Sequence, residues 1–188
     1  MTDMSVVHNS SLLGAGGLFS AGKLTIRNST VASNGASQSA VGGIGVSGQT
    51  LVINSTITEN GAGGMPGTGT GGIAGPVTLQ NTILAGNTYN FQPADCAGAV
   101  SLGNNIIGDL AGCDIDLLPS DRVGNPGLGP YTDDGTPGHG HYPLLSTSQA
   151  INAGNPAVCP KTDQLGEKRL GICDIGSIEF QGTVVSRW

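Results

Sequence analysis

One repeat governs what this chain can fold into. Three segments carry the same residues in the same order. The first runs from Gly16-Gly17 through Leu24-Thr-Ile-Arg-Asn28-Ser-Thr-Val31 to Asn34-Gly35. The second runs from Gly42-Gly43-Ile44 through Leu51-Val-Ile-Asn54-Ser-Thr-Ile57 to Asn60-Gly61. The third runs from Gly71-Gly72-Ile73 through Val77-Thr-Leu-Gln-Asn81-Thr-Ile-Leu84 to Asn87. The spacing is 26 residues from Asn28 to Asn54 and 27 from Asn54 to Asn81. A degenerate copy precedes them at Val6-Val7-His8-Asn9-Ser-Ser-Leu12, and another follows at Ser101-Leu-Gly-Asn-Asn105-Ile-Ile-Gly108. Helical repeats need about ten or more residues of 3.6 periodicity, and Gly and β-branched runs interrupt every candidate stretch here. A period in the twenties made of short strands fits one turn of a β-solenoid. The predicted fold is therefore all-β, a right-handed single-stranded parallel β-helix, with coils stacked at about 4.8 Å.

The repeat also predicts what stacks on what. Ile26, Val52 and Leu79 form one inward column, and Val31, Ile57 and Leu84 a second. Asn28, Asn54 and Asn81 stack at one bend, and Asn34, Asn60 and Asn87 at another. Asn suits a bend because it tolerates left-handed geometry, and stacked amides hydrogen-bond along a ladder. The Gly-Gly pairs supply the next tight corner. Four to five coils are expected over residues 1–110. Residues 111–188 lose the repeat and are expected to form an irregular C-terminal cap of the same domain, since an open last coil would present a row of unpaired backbone groups.

Composition agrees with a narrow core. The chain has 33 Gly but only 3 Phe, 3 Tyr and 1 Trp, so few large side chains are available to fill a wide interior. Clusters of Val, Ile and Leu bounded by Gly, Asn and Ser argue against disorder. The net charge is −6 with 7 Lys and Arg scattered along the chain, which disfavours nucleic-acid binding because phosphate backbones call for clustered cations. No apolar run reaches the length of a membrane helix. Met1-Thr2-Asp3-Met4 has neither the basic nor the apolar region of a signal peptide.

The cysteines are Cys96, Cys113, Cys159 and Cys173, none in a Cys-x-x-Cys pair. Three pairings are open. Sequence proximity favours Cys96–Cys113 and Cys159–Cys173, each closing a loop worth roughly 3 kcal/mol in the chain-entropy model. Oxidised cysteines imply export, so this sequence is expected to belong to a longer secreted parent.

Gly-Gly-Ile followed by Asn-Ser-Thr-Ile-Thr-Glu-Asn resembles the parallel β-helix repeats of polymorphic outer-membrane and autotransporter-type bacterial surface proteins. The second half resembles the choice-of-anchor Q domain proteins. It does so at Asn81-Thr-Ile-Leu-Ala-Gly-Asn87, Asp95-Cys96-Ala-Gly98 and Ser101-Leu-Gly-Asn-Asn-Ile-Ile-Gly-Asp109. The same holds at Asn125-Pro-Gly-Leu-Gly-Pro130, Ser148-Gln-Ala-Ile-Asn-Ala-Gly-Asn155, Thr162-Asp-Gln-Leu-Gly166 and Cys173-Asp-Ile-Gly176. Leu165 departs from the pattern, where an Arg is expected in Asp-Gln-Arg-Gly. The resemblance implies secreted or surface-exposed bacterial proteins, and no settled activity for the domain.

Several constellations are candidates for chemistry. In Asp133-Asp134-Gly-Thr-Pro-Gly-His139-Gly-His141, an extended strand would put both His on one side, a spacing suited to a divalent metal such as zinc. Asp133 or Asp134 would complete such a site and leave a position for an activated water. The alternative for this stretch is an exposed Gly-rich loop. Asp163, Asp174 and Glu179 form a second cluster. Carboxylates in such a cluster either act on glycosidic bonds, bind calcium, or accept backbone hydrogen bonds, and the last role is favoured because they belong to motifs that hold the cap together. Ser29-Thr30, Ser55-Thr56 and Thr82 would line a flat face as hydroxyl ladders able to meet an ordered surface. Asn9, Asn28 and Asn54 fit the N-glycosylation triplet, which the repeat generates by itself. A pectinase-like site is not supported: the repeats offer only Lys23 and Arg27 as cations and Phe19 as the one aromatic before Tyr89. Neither a Gly-x-Ser-x-Gly elbow nor a complete Gly-x-x-x-x-Gly-Lys-Ser/Thr phosphate loop occurs, since Leu24 follows Gly17-Leu-Phe-Ser-Ala-Gly22-Lys23.

The leading expectation is an exported bacterial surface module with an adhesion or display role and a surface glycan or protein as ligand. A coil that starts in mid-repeat is also expected to self-associate. The rival expectations are a small metal-dependent hydrolase centred on His139 and His141, and a carbohydrate-binding or carbohydrate-active β-helix.

Overall fold

A computed structural model describes residues 1–67 and 69–182 of the chain. Each period of the repeat becomes three or four short strands separated by bends. The chain starts with β1 (Ser5–Val7), β2 (Ser10–Ala15) and β3 (Leu18–Ser20). It continues through β4 (Leu24–Arg27), β5 (Thr30–Ala32), β6 (Gly35–Val41) and β7 (Ile44–Val46). Next come β8 (Thr50–Ile53), β9 (Thr56–Thr58), β10 (Gly61–Ala62), β11 (Ile73–Gln80), β12 (Ile83–Ala85) and β13 (Thr88–Tyr89). The last are β14 (Gln92–Pro93), β15 (Cys96–Ser101), β16 (Ile106–Ile107) and β17 (Arg122–Val123).

These strands stack into three parallel sheets, a β-helix of about four turns. One face is the six-stranded order β1-β5-β9-β12-β16-β17. A second is β2-β6-β10-β13, with β14 added antiparallel at its end. On the third face β11 spans two positions, pairing with β7 and β8, which pair in turn with β3 and β4, while β15 lies on its far side. Both expected aliphatic columns form. Val31, Ile57 and Leu84 are in register, extended by Val6 and Ile107. Ile26, Val52 and Leu79 are in register as well. All six repeat residues are completely buried. Each strand needs the next coil to cover its backbone and its apolar face, so stability here is a property of the stack.

The Gly-Gly corners are required by close approach. A Cβ on Gly42 would lie 2.5 Å from the Gly71 carbonyl oxygen, and one on Gly43 2.6 Å from that of Gly72. Backbone meets backbone there, with no room for a side chain.

The two Asn columns behave differently. Asn28, Asn54 and Asn81 adopt left-handed φ of 46°, 43° and 50°, as the bend requires. At the other corner the left-handed residue is the one before the Asn: His8, Ser33, Glu59 and Gly86. Of the first column, Asn81 donates to Oδ1 of Asn54 at 3.3 Å while Nδ2 of Asn28 turns to the Thr162 carbonyl; the continuous amide ladder is built by Asn34, Asn60 and Asn87. The Nδ2 of Asn9 donates to Oδ1 of Asn34 at 3.0 Å, Asn34 to Asn60 at 2.9 Å, and Asn60 to Asn87 at 2.9 Å. Asn87 donates to Oδ1 of Asp95 at 2.8 Å, so the ladder ends on a carboxylate. Each acceptor also takes the backbone N–H of the preceding ladder residue. From Asn34 onward the ladder is buried, where an unmade hydrogen bond would cost about 1–3 kcal/mol.

The C-terminal region divides in two. Cys113, Ile115 and Leu117 pack against the main core and close the end of the stack, pinned by Cys96–Cys113. Residues 125–180 do something the sequence pattern did not foretell: they fold back along the flank of the stack as a strap. Asn155 donates its N–H to Oδ1 of Asn81, Thr162 accepts from Nδ2 of Asn28, and Tyr131 packs edge-on against His8 of the first coil. The second disulfide, Cys159–Cys173, lies within the strap.

Candidate functional site

The His-x-His stretch is an antiparallel hairpin closed by Thr132 and His141, whose backbones exchange two 2.9 Å hydrogen bonds. Its tip is held by short-range bonds typical of Asx turns. Oδ1 of Asp133 accepts from Gly135 N–H at 2.9 Å, and Oδ1 of Asp134 from Thr136 N–H at 2.8 Å. The other oxygen of Asp134 lies 3.0 Å from Nδ1 of His139, while Asp133 accepts the Tyr131 hydroxyl. Nδ1 of His141 turns to the carbonyl oxygen of His139, 2.6 Å away. Of the four residues expected to hold a metal, Asp134 and His139 pair with each other, Asp133 with Tyr131, and His141 with the His139 carbonyl. Among the described residues, no three His, Cys, Asp or Glu side chains are grouped so as to hold a metal ion. The Thr136 N–H and then His139 hold the Asp134 carboxyl down at about 2.

Asp163, Asp174 and Glu179 do come together, around a residue that the motifs gave no reason to single out. Arg169, four residues beyond the departure at Leu165, places Nη1 3.1 Å from Oε2 of Glu179, with both side chains almost wholly buried. It also donates to the carbonyls of Asp174 and Gly176 and to Oδ1 of Asn28. The carboxylates are filled by backbone donors. Asp163 accepts from Leu165, Glu167 and Glu179, Asp174 from Asn152 and Phe180, and Glu179 from Leu170 and Asp174. Burial raises the Asp174 carboxyl and lowers the Arg169 guanidinium. A cluster whose oxygens are committed to N–H groups is a knot that ties strap to stack, not an acid–base pair open to a substrate.

The Thr30 and Thr56 hydroxyls meet the strap instead of an external surface, while those of Ser29, Ser55 and Thr82 turn into the stack and donate to the carbonyls of Arg27, Ile53 and Gln80. Ser29, Thr30, Ser55, Thr56 and Thr82 are all buried. Thr30 donates to Oε1 of Gln164 at 2.6 Å, and Thr56 accepts from the hydroxyl and the backbone N–H of Ser177. Asn28 and Asn54 are buried beneath the same segment, so neither is open to a glycan.

The concavity left between stack and strap was not anticipated. Two joined clefts of about 340 and 300 Å³ share Ala85, Gly86, Asn125 and Pro126. Their origin lies in the corner column. Where earlier coils place Ser33 and Glu59, this coil has Gly86, and the missing side chain opens a notch. The repeat alignment carries that signal at the position before each ladder Asn. Glu59 and Asp109 stand on either side, one in each cleft. Glu59 accepts the Tyr142 hydroxyl at 2.6 Å, and burial together with this bond pushes the phenol up to about 12. At the base, burial pushes the Asp95 carboxyl up even as three N–H groups donate to it. The cleft is lined largely by apolar atoms of residues such as Ala85, Pro93 and Pro126, with Glu59 and Asp109 at its edges.

No protein-family description, characterised protein or solved structure matches the chain.

Proposed function

We propose that this chain is a non-catalytic β-helix module of an exported bacterial surface protein. In this reading its Gly86 cleft receives a surface glycan or a protein ligand. The observation that carries it is the commitment of the chemically capable groups to the fold. Asp163, Asp174 and Glu179 serve backbone N–H groups, and His139 and His141 serve the turn of their own hairpin. Two disulfides support export, since such bonds persist in oxidising compartments. The ordered motif series from Asn81 to Glu179 supports a bacterial surface context.

The test is a binding screen of the immobilised protein against glycans and extracellular proteins, repeated with Glu59→Gln and Tyr142→Phe. A ligand whose affinity falls at least about tenfold in either variant supports the cleft. Turnover of an ester, phosphoester or glycoside that needs added zinc, and is lost in His139→Ala/His141→Ala, would overturn the non-catalytic reading.

A further inference from the structure

The Gly86 cleft carries an unbalanced charge, and the imbalance identifies the part of a ligand that it holds, an inference that rests on the reading just given. Four carboxylates are buried among the described residues: Asp95, Asp163, Asp174 and Glu179. The last three gather about Arg169. Asp95, only 1% exposed, has no such partner. The charge acting on it is that of Asp109, of like sign. No Lys, Arg or His lines either lobe of the cleft. Arg122, three residues before Asn125, gives its guanidinium to the Gln149 carbonyl instead.

Asp95 also keeps an acceptor position open. Its Oδ1 takes the N–H and the Nδ2 of Asn87 at 2.9 and 2.8 Å. Among the described residues, Oδ2 takes the Asp109 N–H alone, at 2.8 Å. A carboxylate oxygen accepts two hydrogen bonds, so one position on Oδ2 remains. Gly108 keeps that oxygen clear, because a Cβ there would lie 2.8 Å from it. On Asp109 the Oδ1 accepts the Ala111 N–H at 2.7 Å, the one described donor to that carboxylate. The walls beside the two groups are Ala85, Pro93 and Pro126.

These features sort the occupants. A neutral glycan would leave the two like charges uncompensated, and the Asp95 lobe has no aromatic ring for a sugar to stack on. Calcium takes about 6–8 oxygen ligands, whereas no three described His, Cys, Asp or Glu side chains are grouped for a metal. An arginine fork needs both oxygens of one carboxylate, and Asp95 offers one. Lysine matches both halves of the lobe, with an aliphatic stem for the apolar walls and a compact ammonium for the carboxylates. We infer that the Gly86 cleft takes a lysine side chain of a partner protein, its stem against Pro93 and Pro126 and its ammonium shared by Asp95 and Asp109.

NMR titration of the full chain with acetyl-Gly-Lys-Gly-amide tests this. Saturable shifts of the Gly86, Gly108 and Gly124 N–H groups are expected, with a Kd of about 1–10 mM. The Asp95 carboxyl carbon should titrate at lower pH in the complex, because an adjacent ammonium favours the carboxylate. The same peptide with Nε-acetyl-lysine keeps the stem, lacks the charge, and is expected not to bind. Asp109→Asn keeps an acceptor for Ala111 and should weaken the lysine peptide at least about threefold. Gly86→Asn fills the notch with a residue that tolerates the left-handed φ of 76°, and should abolish binding.

The lysine assignment is overturned by equal binding of the acetylated peptide, or by affinity unchanged in folded Asp109→Asn. Shifts spread over Asp114, Asp116 and Asp121, an unmoved Asp95 titration, or no binding up to about 20 mM overturn it too. A glycan or protein whose affinity still depends on Glu59 or Tyr142 then leaves the cleft standing as a binding site. Absence of any such ligand overturns both.

Discussion

Replacing Arg169 by Met takes its cation out of the knot that holds the strap. Four hydrogen bonds vanish: to Oε2 of Glu179 at 3.1 Å, to Oδ1 of Asn28 at 3.1 Å, and to the carbonyls of Gly176 at 3.0 Å and Asp174 at 3.3 Å. Glu179 keeps its two backbone donors but stays 2% exposed with its charge unpaired. Screening by water is slight at that depth, so the loss falls in the range for breaking a buried pair, about 3–5 kcal/mol. Part of this is offset because Nε of Arg169 is buried without a partner already. For a chain of this length each kcal/mol moves the melting temperature by about 2–4 °C, so a fall of roughly 8–15 °C is expected. The damage should start in the strap. Hydrogen exchange is expected to quicken at Thr30 and Thr56, whose hydroxyls bond the strap, before the Val31–Ile57–Leu84 column opens. A melting temperature within about 1 °C of the parent protein would refute the assignment of Arg169 as the anchor.

Two other outcomes follow from individual side chains. The Thr50 hydroxyl is buried without a partner in the inward column that also holds Leu24 and Val77. Thr50→Val should therefore stabilise the protein by about 1–2 kcal/mol in urea titrations, and an unchanged or lowered midpoint would mean that the hydroxyl is satisfied. The Asp134 carboxyl is held down to about 2, below its ordinary value of 3.8. A lowered carboxyl contributes stability above 3.8 that is lost as pH falls through about 2, and here the effect is confined to the hairpin because the group is exposed and bonded to Thr136 and His139 of the same hairpin. Carbon-detected NMR titration should show Asp134 titrating near 2, with a modest rise in His139→Ala, since Thr136 N–H is the larger cause; no movement would show that His139 contributes nothing.

What could be read from the repeat and what could not differ in a physically simple way. In a solenoid each residue's main partner sits one period along the chain, so periodicity in sequence is a contact map in disguise. Asn34, Asn60 and Asn87 contact one another at separations of 26 and 27 residues. Val31, Ile57 and Leu84 follow the same rule. The disulfides were legible for a related reason: Cys96–Cys113 spans 17 residues and Cys159–Cys173 spans 14. Even at this level the backbone chose details that residue type left open, such as left-handed geometry at Glu59 instead of Asn60.

The candidate site obeys no such rule. Thr30 meets Ser177 across 147 residues, and Asn28 meets Arg169 across 141. Nothing periodic announces a partner at that distance, so the hydroxyl ladders read as a free face and Arg169 passed unnoticed. The sequence alone therefore determined the stack: its strands, its inward columns, its Gly-Gly corners and its bends. The tertiary structure alone decided the course of residues 125–180. That course buried Asn28 and Thr56, turned three carboxylates into a fastening around Arg169, and left the notch at Gly86 open. The reason is that a repeat specifies contacts between neighbouring coils, whereas a strap is placed by single contacts that only the assembled stack brings within reach.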